Sequence, residues 1–236
     1  MKNTAIILAA GKGKRMQSDV PKQYLLLEGH PILFYSIRAF EQSFIDEIIL
    51  VAGKEEVEYC RKEIVEKYGF QKVKKIVAGG RERYHSVYEG LKAIDSTDYV
   101  YIHDGARPFV TSEILERVQK EVEQCKACVV GMPVKDTIKI VGIDHVVRDT
   151  PDRKVLWQIQ TPQTFSYELV KAAYDKWMKK EDGIITDDAM VVEKMLQYPI
   201  KLVEGSYENI KITTPEDLKI GTVFLGRYDE AFERKE

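Results

Sequence analysis

The segment Ala9-Ala10-Gly11-Lys12-Gly13-Lys14-Arg15-Met16, continuing to Pro21-Lys22-Gln23, combines small residues with a run of cations. Glycines at 11 and 13 let backbone N–H groups turn inward and approach phosphate oxygens that a Cβ would hold away. Lys12, Lys14, Arg15 and Lys22 surround those donors with positive charge. Two familiar phosphate loops are excluded by spacing. A dinucleotide fingerprint needs glycine where Met16 stands, and G-x-x-x-x-G-K-[ST] is not present. Taken alone the loop also fits a glycine-rich turn with solvated lysines, so other segments must decide. His103-Asp104-Gly105-Ala106-Arg107-Pro108 offers a carboxylate and a guanidinium. A carboxylate facing a polyphosphate is repulsive unless a hard cation lies between them, which makes Asp104 the candidate ligand for Mg²⁺. Arg107 reads equally as a phosphate contact or an ordinary ion-pair partner. Gly79-Gly80-Arg81-Glu82-Arg83-Tyr84-His85-Ser86 adds a third flexible turn with hydroxyl and amide donors.

These segments share one site only if their elements bring them to one edge. Short Val- and Ile-rich runs at 5–8, 48–52, 73–78, 99–103 and 128–132 alternate with longer amphipathic stretches at 32–42, 55–68, 86–94 and 112–125. The alternation predicts an α/β fold with a mainly parallel, doubly wound sheet and crossover helices. In such sheets ligands collect at the carboxyl ends of the strands, where all three segments fall. Beyond Pro133, β-rich runs at 137–141 and 146–150 flank a turn and predict a hairpin arm. Helices are expected at 167–179 and at 187–195, the latter capped by Thr186. A strand at 209–213 should lead into a last helix with Thr214 as cap and Pro215 at its first position. The charged tail from Arg227 onward is expected to fray.

Composition narrows the class. The 236 residues suit one domain, and 36 basic against 38 acidic residues leave a net charge of −2, too near neutral to advertise a nucleic-acid partner. The apolar run after Met1-Lys2-Asn3-Thr4 is far shorter than a membrane span and lacks a cleavage site, so no membrane partner and a cytoplasmic location are expected. Cys60, Cys125 and Cys128 cannot all pair, which fits a reducing compartment. The Cys125-x-x-Cys128 pair ends a helix pattern instead of opening one, so it reads as packing and not redox chemistry.

Further motifs accompany the loops: Asp136-Thr137-Ile138-Lys139, Thr150-x-Asp152-Arg153, Gln160-Thr161-Pro162-Gln163, Thr186-Asp187-Asp188-Ala189 and Asn209-Ile210-Lys211-Ile212-Thr213. With the glycine loop and the His-Asp motif, from about residue 4 to about residue 220, the chain resembles the 2-C-methyl-D-erythritol 4-phosphate cytidylyltransferase family of the non-mevalonate route to isoprenoids. The resemblance implies a Rossmann-like nucleotidyltransferase fold, and a projecting β-arm at about 134–156 that crosses to a second subunit in a homodimer. CTP would lie on Ala9, Ala10, Gly11, Gly13, Gly80, Ser86 and Ala106. Arg15 and Lys22 would stabilise the triphosphate and its developing charge. The polyol phosphate would meet Asp104, Arg107, Thr161, Thr186 and Lys211, with Thr137 and Arg153 arriving from the partner's arm; Arg153 and Lys211 would join the catalytic set.

The chain departs from the family pattern at Gly105, where alanine is usual, and at Arg81, where a smaller or acidic residue often lies near the cytosine. Ribitol 5-phosphate cytidylyltransferases share the loop, the His-Asp motif and the Asn-Ile-Lys-Ile-Thr ending; Thr-x-Asp-Arg with Leu156-Trp157 leans away from them. Sugar 1-phosphate nucleotidyltransferases and molybdopterin guanylyltransferases lack the complete arm and C-terminal motifs. A catalytically silent nucleotide-binding module would be expected to have lost a cation, whereas Arg15, Lys22, Arg107, Arg153 and Lys211 are all present.

Overall fold

Ala5, Ile6 and Ile7 are completely buried, which a strand achieves when both faces of its sheet are covered. The computed structural model, which describes residues 1–11, 13, 16 and 20–233, with side chains as far as residue 226, shows how. Besides a two-residue ladder of Leu26–Leu27 with His30–Pro31, its strands are β1 (Asn3–Ala9), β2 (Glu47–Ala52), β3 (Val73–Ala78), β4 (Tyr99–Asp104), β5 (Ala127–Pro133), the arm strands β6 (Ile140–Val141) and β7 (Val147–Asp149), then β8 (Trp157–Ser166) and β9 (Lys201–Glu204). Seven form one sheet in the order β9-β5-β8-β4-β1-β2-β3. Every neighbouring pair is parallel except those of β8, which runs antiparallel to both β4 and β5.

Alternate side chains of β1 feed opposite layers. Ala5 and Ile7 face a cluster with Leu33, Ile37 and Phe40 of α1 (Ile32–Glu41) and Leu115, Val118 and Val122 of a later crossover helix. Ile6 faces Val87 and Leu91 of α2 (Arg83–Ala93). The later crossover helix is α3 (Ser112–Cys125), and the second layer is completed by α4 (Tyr167–Trp177) and α5 (Asp188–Leu196). Burial on both faces is why these strands read as unbroken apolar runs. The last helix, α6 (Pro215–Glu233), begins with Pro215 as expected, and Thr214 Oγ1 accepts from the Asp217 amide at 3.3 Å. Side chains of the tail from Arg227 lie outside the described residues.

The differences from the sequence reading are informative. The helix expected over 55–68 is irregular: a 3₁₀ turn (Lys54–Glu56), a short α segment (Val57–Tyr59) and a π-wound stretch (Cys60–Glu66). Helix α2 starts at Arg83 instead of Ser86, because Glu82 and His85 form a reciprocal capping box. The cap of α5 is Asp187 and not Thr186; its carboxylate accepts from the Met190 amide at 2.9 Å. Residues 209–213 form no strand, since their polar backbone groups are taken by loops, as with the Ile212 amide donating to Ala106 O at 2.9 Å.

Candidate active site

The strand order reverses between β1 and β4, and the loops that leave β1, β3 and β4 at their carboxyl ends converge there. They enclose a cavity of about 640 Å³. Ala9, Ala10, Gly11, Gly13, Lys22, Gly80, Ser86, Asp104, Ala106 and Lys211 all line it. Two glycines are required by shape. Gly13 has φ +58°, and a Cβ there would press on Lys22 at 3.2 Å. A Cβ at Gly80 would run into His85. Gly105 also has no spare room: a Cβ would meet Leu33 at 2.8 Å and the Leu8 carbonyl at 2.9 Å, so the alanine usual in the family does not fit this neighbourhood unaltered.

Side chains hold the loops in place. Gln23, 2% exposed, donates to the Ala9 carbonyl and so braces the end of β1. The Ser86 hydroxyl accepts from the Gly80 amide at 3.1 Å and donates to the Glu82 carbonyl at 3.3 Å. Lys22 donates to the Ile212 carbonyl at 3.1 Å, joining the glycine loop to the segment that carries Lys211. Arg81 is exposed at the rim, 4.0 Å from Glu82.

Asp104, at the end of β4, is the electrostatic centre. Its carboxylate lies 2.7 Å from Lys211 Nζ, 3.3 Å from Arg83 Nε and 4.0 Å from Arg107 Nε. Burial would raise its pKa, but Arg83, Lys211 and Arg107 hold the carboxyl well below the ordinary carboxylate range. Arg83, at the start of α2, reaches Asp104 across the cavity that the loop after β3 and the end of β4 share; nothing local in the sequence marks that role. Its fork also pairs with Asp188, at 2.8 Å through each terminal nitrogen. No group of three or more His, Cys, Asp or Glu side chains able to hold a metal occurs among the described residues. A cation at this cavity would take the Asp104 carboxylate together with ligand oxygens, a donor set that suits Mg²⁺.

Arg107, Thr161, Thr186, Thr137 and Arg153, also expected at the site, do not line the cavity. Arg107 is turned inward, and its Nη1 donates to the Asn209 carbonyl at 2.7 Å. Thr161 is 4% exposed, Thr186 is exposed and donates to Met190 Sδ at 3.5 Å, and Thr137 and Arg153 sit exposed on the arm. Arg153 donates to the Lys135 carbonyl at 3.0 Å. Arg15 lies outside the described residues.

His103 is fully buried behind this centre. Its Nε2 is 3.0 Å from the Arg107 carbonyl, which can only accept, so Nε2 carries the proton. Nδ1 of the neutral ring then accepts from the Thr161 hydroxyl at 3.1 Å, and that oxygen accepts from the Asp104 amide at 3.1 Å. The only proton of the Thr161 hydroxyl is thereby used inside the protein. Burial pushes the His103 imidazole down to about 4 from 6.5. A lowered base favours the neutral folded state above 6.5, and the associated stability is lost as pH falls from about 6.5 to about 4. That interval corresponds to about 3 kcal/mol. In metal-free buffer the denaturation midpoint of the wild-type chain should drop across this range more than that of His103→Gln. Parallel pH curves for the two would refute the assignment.

A cation-ringed cradle at the switch point of a mainly parallel sheet, built without a P-loop, belongs to the class of Rossmann-like nucleotidyltransferases. The comparisons with known proteins narrow it. The family model described as IspD, 2-C-methyl-D-erythritol 4-phosphate cytidylyltransferase, matches residues 3–227. The cytidylyltransferase of that name from Lachnospira eligens is 53% identical over 226 residues, covering 94% of this chain and 99% of its own. Its counterpart from Lachnoclostridium phytofermentans is 50% identical over 229 residues, covering 97% and 98%. Among solved structures, the 4-diphosphocytidyl-2C-methyl-D-erythritol synthase from Anaerococcus prevotii superposes with a TM-score of 0.83 at 36% identity, covering 95% of this chain and 96% of the other. The chain belongs to the 2-C-methyl-D-erythritol 4-phosphate cytidylyltransferase family.

Proposed function

We propose that the chain transfers a cytidylyl group from CTP to 2-C-methyl-D-erythritol 4-phosphate and releases pyrophosphate, as a step of isoprenoid biosynthesis. The observation that carries this reading is the meeting of Lys22, Lys211, Asp104 and the glycine loop at one cavity, in a chain of this family. The acceptor is a phosphomonoester whose second pKa is about 6, so its attacking oxygen is already anionic near neutral pH and needs no general base. An acceptor phosphate oxygen forms a bond to the α-phosphorus of CTP while the α–β bridging bond breaks and its electron pair leaves with pyrophosphate. The barrier is the approach of a dianion to a polyanion, and cations lower it.

Lys22 and Lys211 serve that purpose from the cavity wall, and Arg15 from the glycine loop. Bound Mg²⁺, held by Asp104 and phosphate oxygens, would supply charge neutralisation on the triphosphate. Arg107 and Thr161 act from behind, fixing the 209–211 segment and the Asp104 backbone. No helix among the described residues is long and apolar enough to cross a membrane, and we place the enzyme in the cytoplasm without a nucleic-acid partner.

The arm argues for a homodimer. Its hairpin pairs only β6 with β7, and Ile140, Val141, Val146, Val147 and Val155 are 51–75% exposed, with Ile143 fully so. So many exposed apolar side chains on one short arm call for a partner, and a two-fold partner would receive Thr137 and Arg153. Pyrophosphate release with CTP and Mg²⁺ tests the acceptor. Release is expected to be faster with 2-C-methyl-D-erythritol 4-phosphate than with D-ribitol 5-phosphate; the reverse preference would move the enzyme to polymer biosynthesis, and no release with either would mean a silent nucleotide-binding module.

A further inference from the structure

Arg83 occupies the first position of α2, where the helix dipole disfavours a cation. A local rule broken in this way asks for a compensating purpose. The side chain spends its two terminal nitrogens on Asp188, at 2.8 Å each, and only Nε reaches Asp104, at 3.3 Å. Asp188 is fully buried and immobilised from several directions. The Tyr174 hydroxyl donates to its Oδ1, and the Gln163 side-chain carbonyl accepts from the backbone amides of Asp188 and Ala189 at 2.9 Å each. Lys211 is the nearer cation on the remaining oxygen of Asp104, at 2.7 Å, with Arg107 Nε at 4.0 Å. The chain of contacts therefore runs Tyr174, Asp188, Arg83, Asp104, Lys211, from the core to the cavity.

We propose that Asp188 is a positioning residue for the transfer reaction: by occupying the fork of Arg83 it prevents that fork from closing on both oxygens of Asp104, and so leaves one oxygen to hold Lys211 at the cavity. A planar guanidinium prefers a two-pronged carboxylate partner. Deprived of Asp188, Arg83 has Asp104 as its nearest alternative, and Lys211 is the competitor displaced. Charge counting separates this effect from a loss of nucleotide affinity. Asp188 and Asp104 together balance Arg83, Arg107 and Lys211 to a net +1, whereas Asp104 alone would leave +2. Added positive charge favours an anionic nucleotide, so no loss of CTP affinity is expected and a fall in kcat would report the misplaced Lys211.

The inference rests on assigning Lys211 to the reacting phosphates, and the experiment separates the two. Asp188→Asn, Arg83→Met, the double variant and Lys211→Ala are compared for kcat, for KM toward CTP and for thermal midpoint. Asp188→Asn should lose at least tenfold in kcat with KM for CTP unchanged or lower. The double variant, which removes the competing fork, should recover to within about fivefold of the wild type. A brace that merely holds the fold would lower the thermal midpoint without this split between kcat and KM; rescue alone is also expected of a structural pair, because deleting both members removes the uncompensated buried charge, so the split is the deciding readout. Should Asp188→Asn fail to fold, the double variant, which carries neither charge of the pair, decides by the same criterion. Less than a tenfold loss of kcat in Asp188→Asn, or a double variant impaired by more than about fivefold, overturns the inference alone when Lys211→Ala is impaired. Normal turnover in Lys211→Ala overturns the assignment and the inference together.

Discussion

Lys22→Ala is expected to lower kcat for pyrophosphate release by about a hundredfold, with the thermal midpoint within a few degrees of the wild type. The reason is geometric. Pro21 leads into a single 3₁₀ turn, Lys22–Tyr24, in which Gln23 and Tyr24 are buried and anchor the backbone while Lys22 points along the cavity wall. Truncation removes the ammonium and its hydrogen bond to the Ile212 carbonyl but leaves both anchors. The Tyr24 hydroxyl still donates to Glu56 at 2.9 Å and Gln23 still braces Ala9. Stability should therefore change little. The reaction loses a preorganised charge aimed where negative charge accumulates, an effect on the order of 3 kcal/mol for one such group. Because that charge acts mainly in the transition state, kcat and kcat/KM should fall together. Arg15→Ala should behave likewise. Unchanged turnover in folded Lys22→Ala would remove Lys22 from the mechanism.

Much of this site was legible because its chemistry lies on segments whose types and spacing are local. The glycine loop and the Gly79–Ser86 turn each follow a strand with an apolar pattern, the His-Asp motif ends another, and β1 to β5 formed where that pattern stood. What escaped depends on pairing between distant segments. β8 reads Trp157-Gln158-Ile159-Gln160-Thr161-Pro162-Gln163-Thr164-Phe165-Ser166, polar and interrupted by proline, which locally argues against an interior strand. It lies inside the sheet because its ladder to β5 breaks between Ile159 and Gln163, over the stretch that holds the proline. Within and beside that break the polar side chains find partners, Gln160 on the Ser206 carbonyl and Thr161 on His103. Conversely, 209–213 has strand composition but spends its groups on Arg107, Lys22 and Ala106. The Arg83–Asp188 pair joins residues 105 positions apart, and nothing local to either marks the other. Arg107 and Thr161 show the same limit from the other side: the motif names them, and only the fold reveals that both face inward.

Mixing two inactive variants should restore activity if the cavity is completed by a partner's arm. Within one chain, Val134 N bonds the Leu156 carbonyl at 3.0 Å and closes the root of the arm, so Thr137 and Arg153 are carried outward from their own sheet. Lys22→Ala damages the body of a site, whereas Arg153→Ala damages only the arm that a subunit lends. Each homodimer then has two defective sites. In a mixed dimer the two defects gather in one site, and the other receives a wild-type Lys22 from one subunit and a wild-type Arg153 from its partner. Random reassociation of equal amounts makes about half the dimers mixed, each with one intact site of two, so about a quarter of wild-type activity should appear. Against parents at about a hundredth or less, that is a gain of some 25-fold, and dilution that separates subunits should abolish it. A site formed within one chain predicts no gain at any mixing ratio, because every site then carries its own chain's defect. Arg153 would in that case belong to its local contact with Lys135.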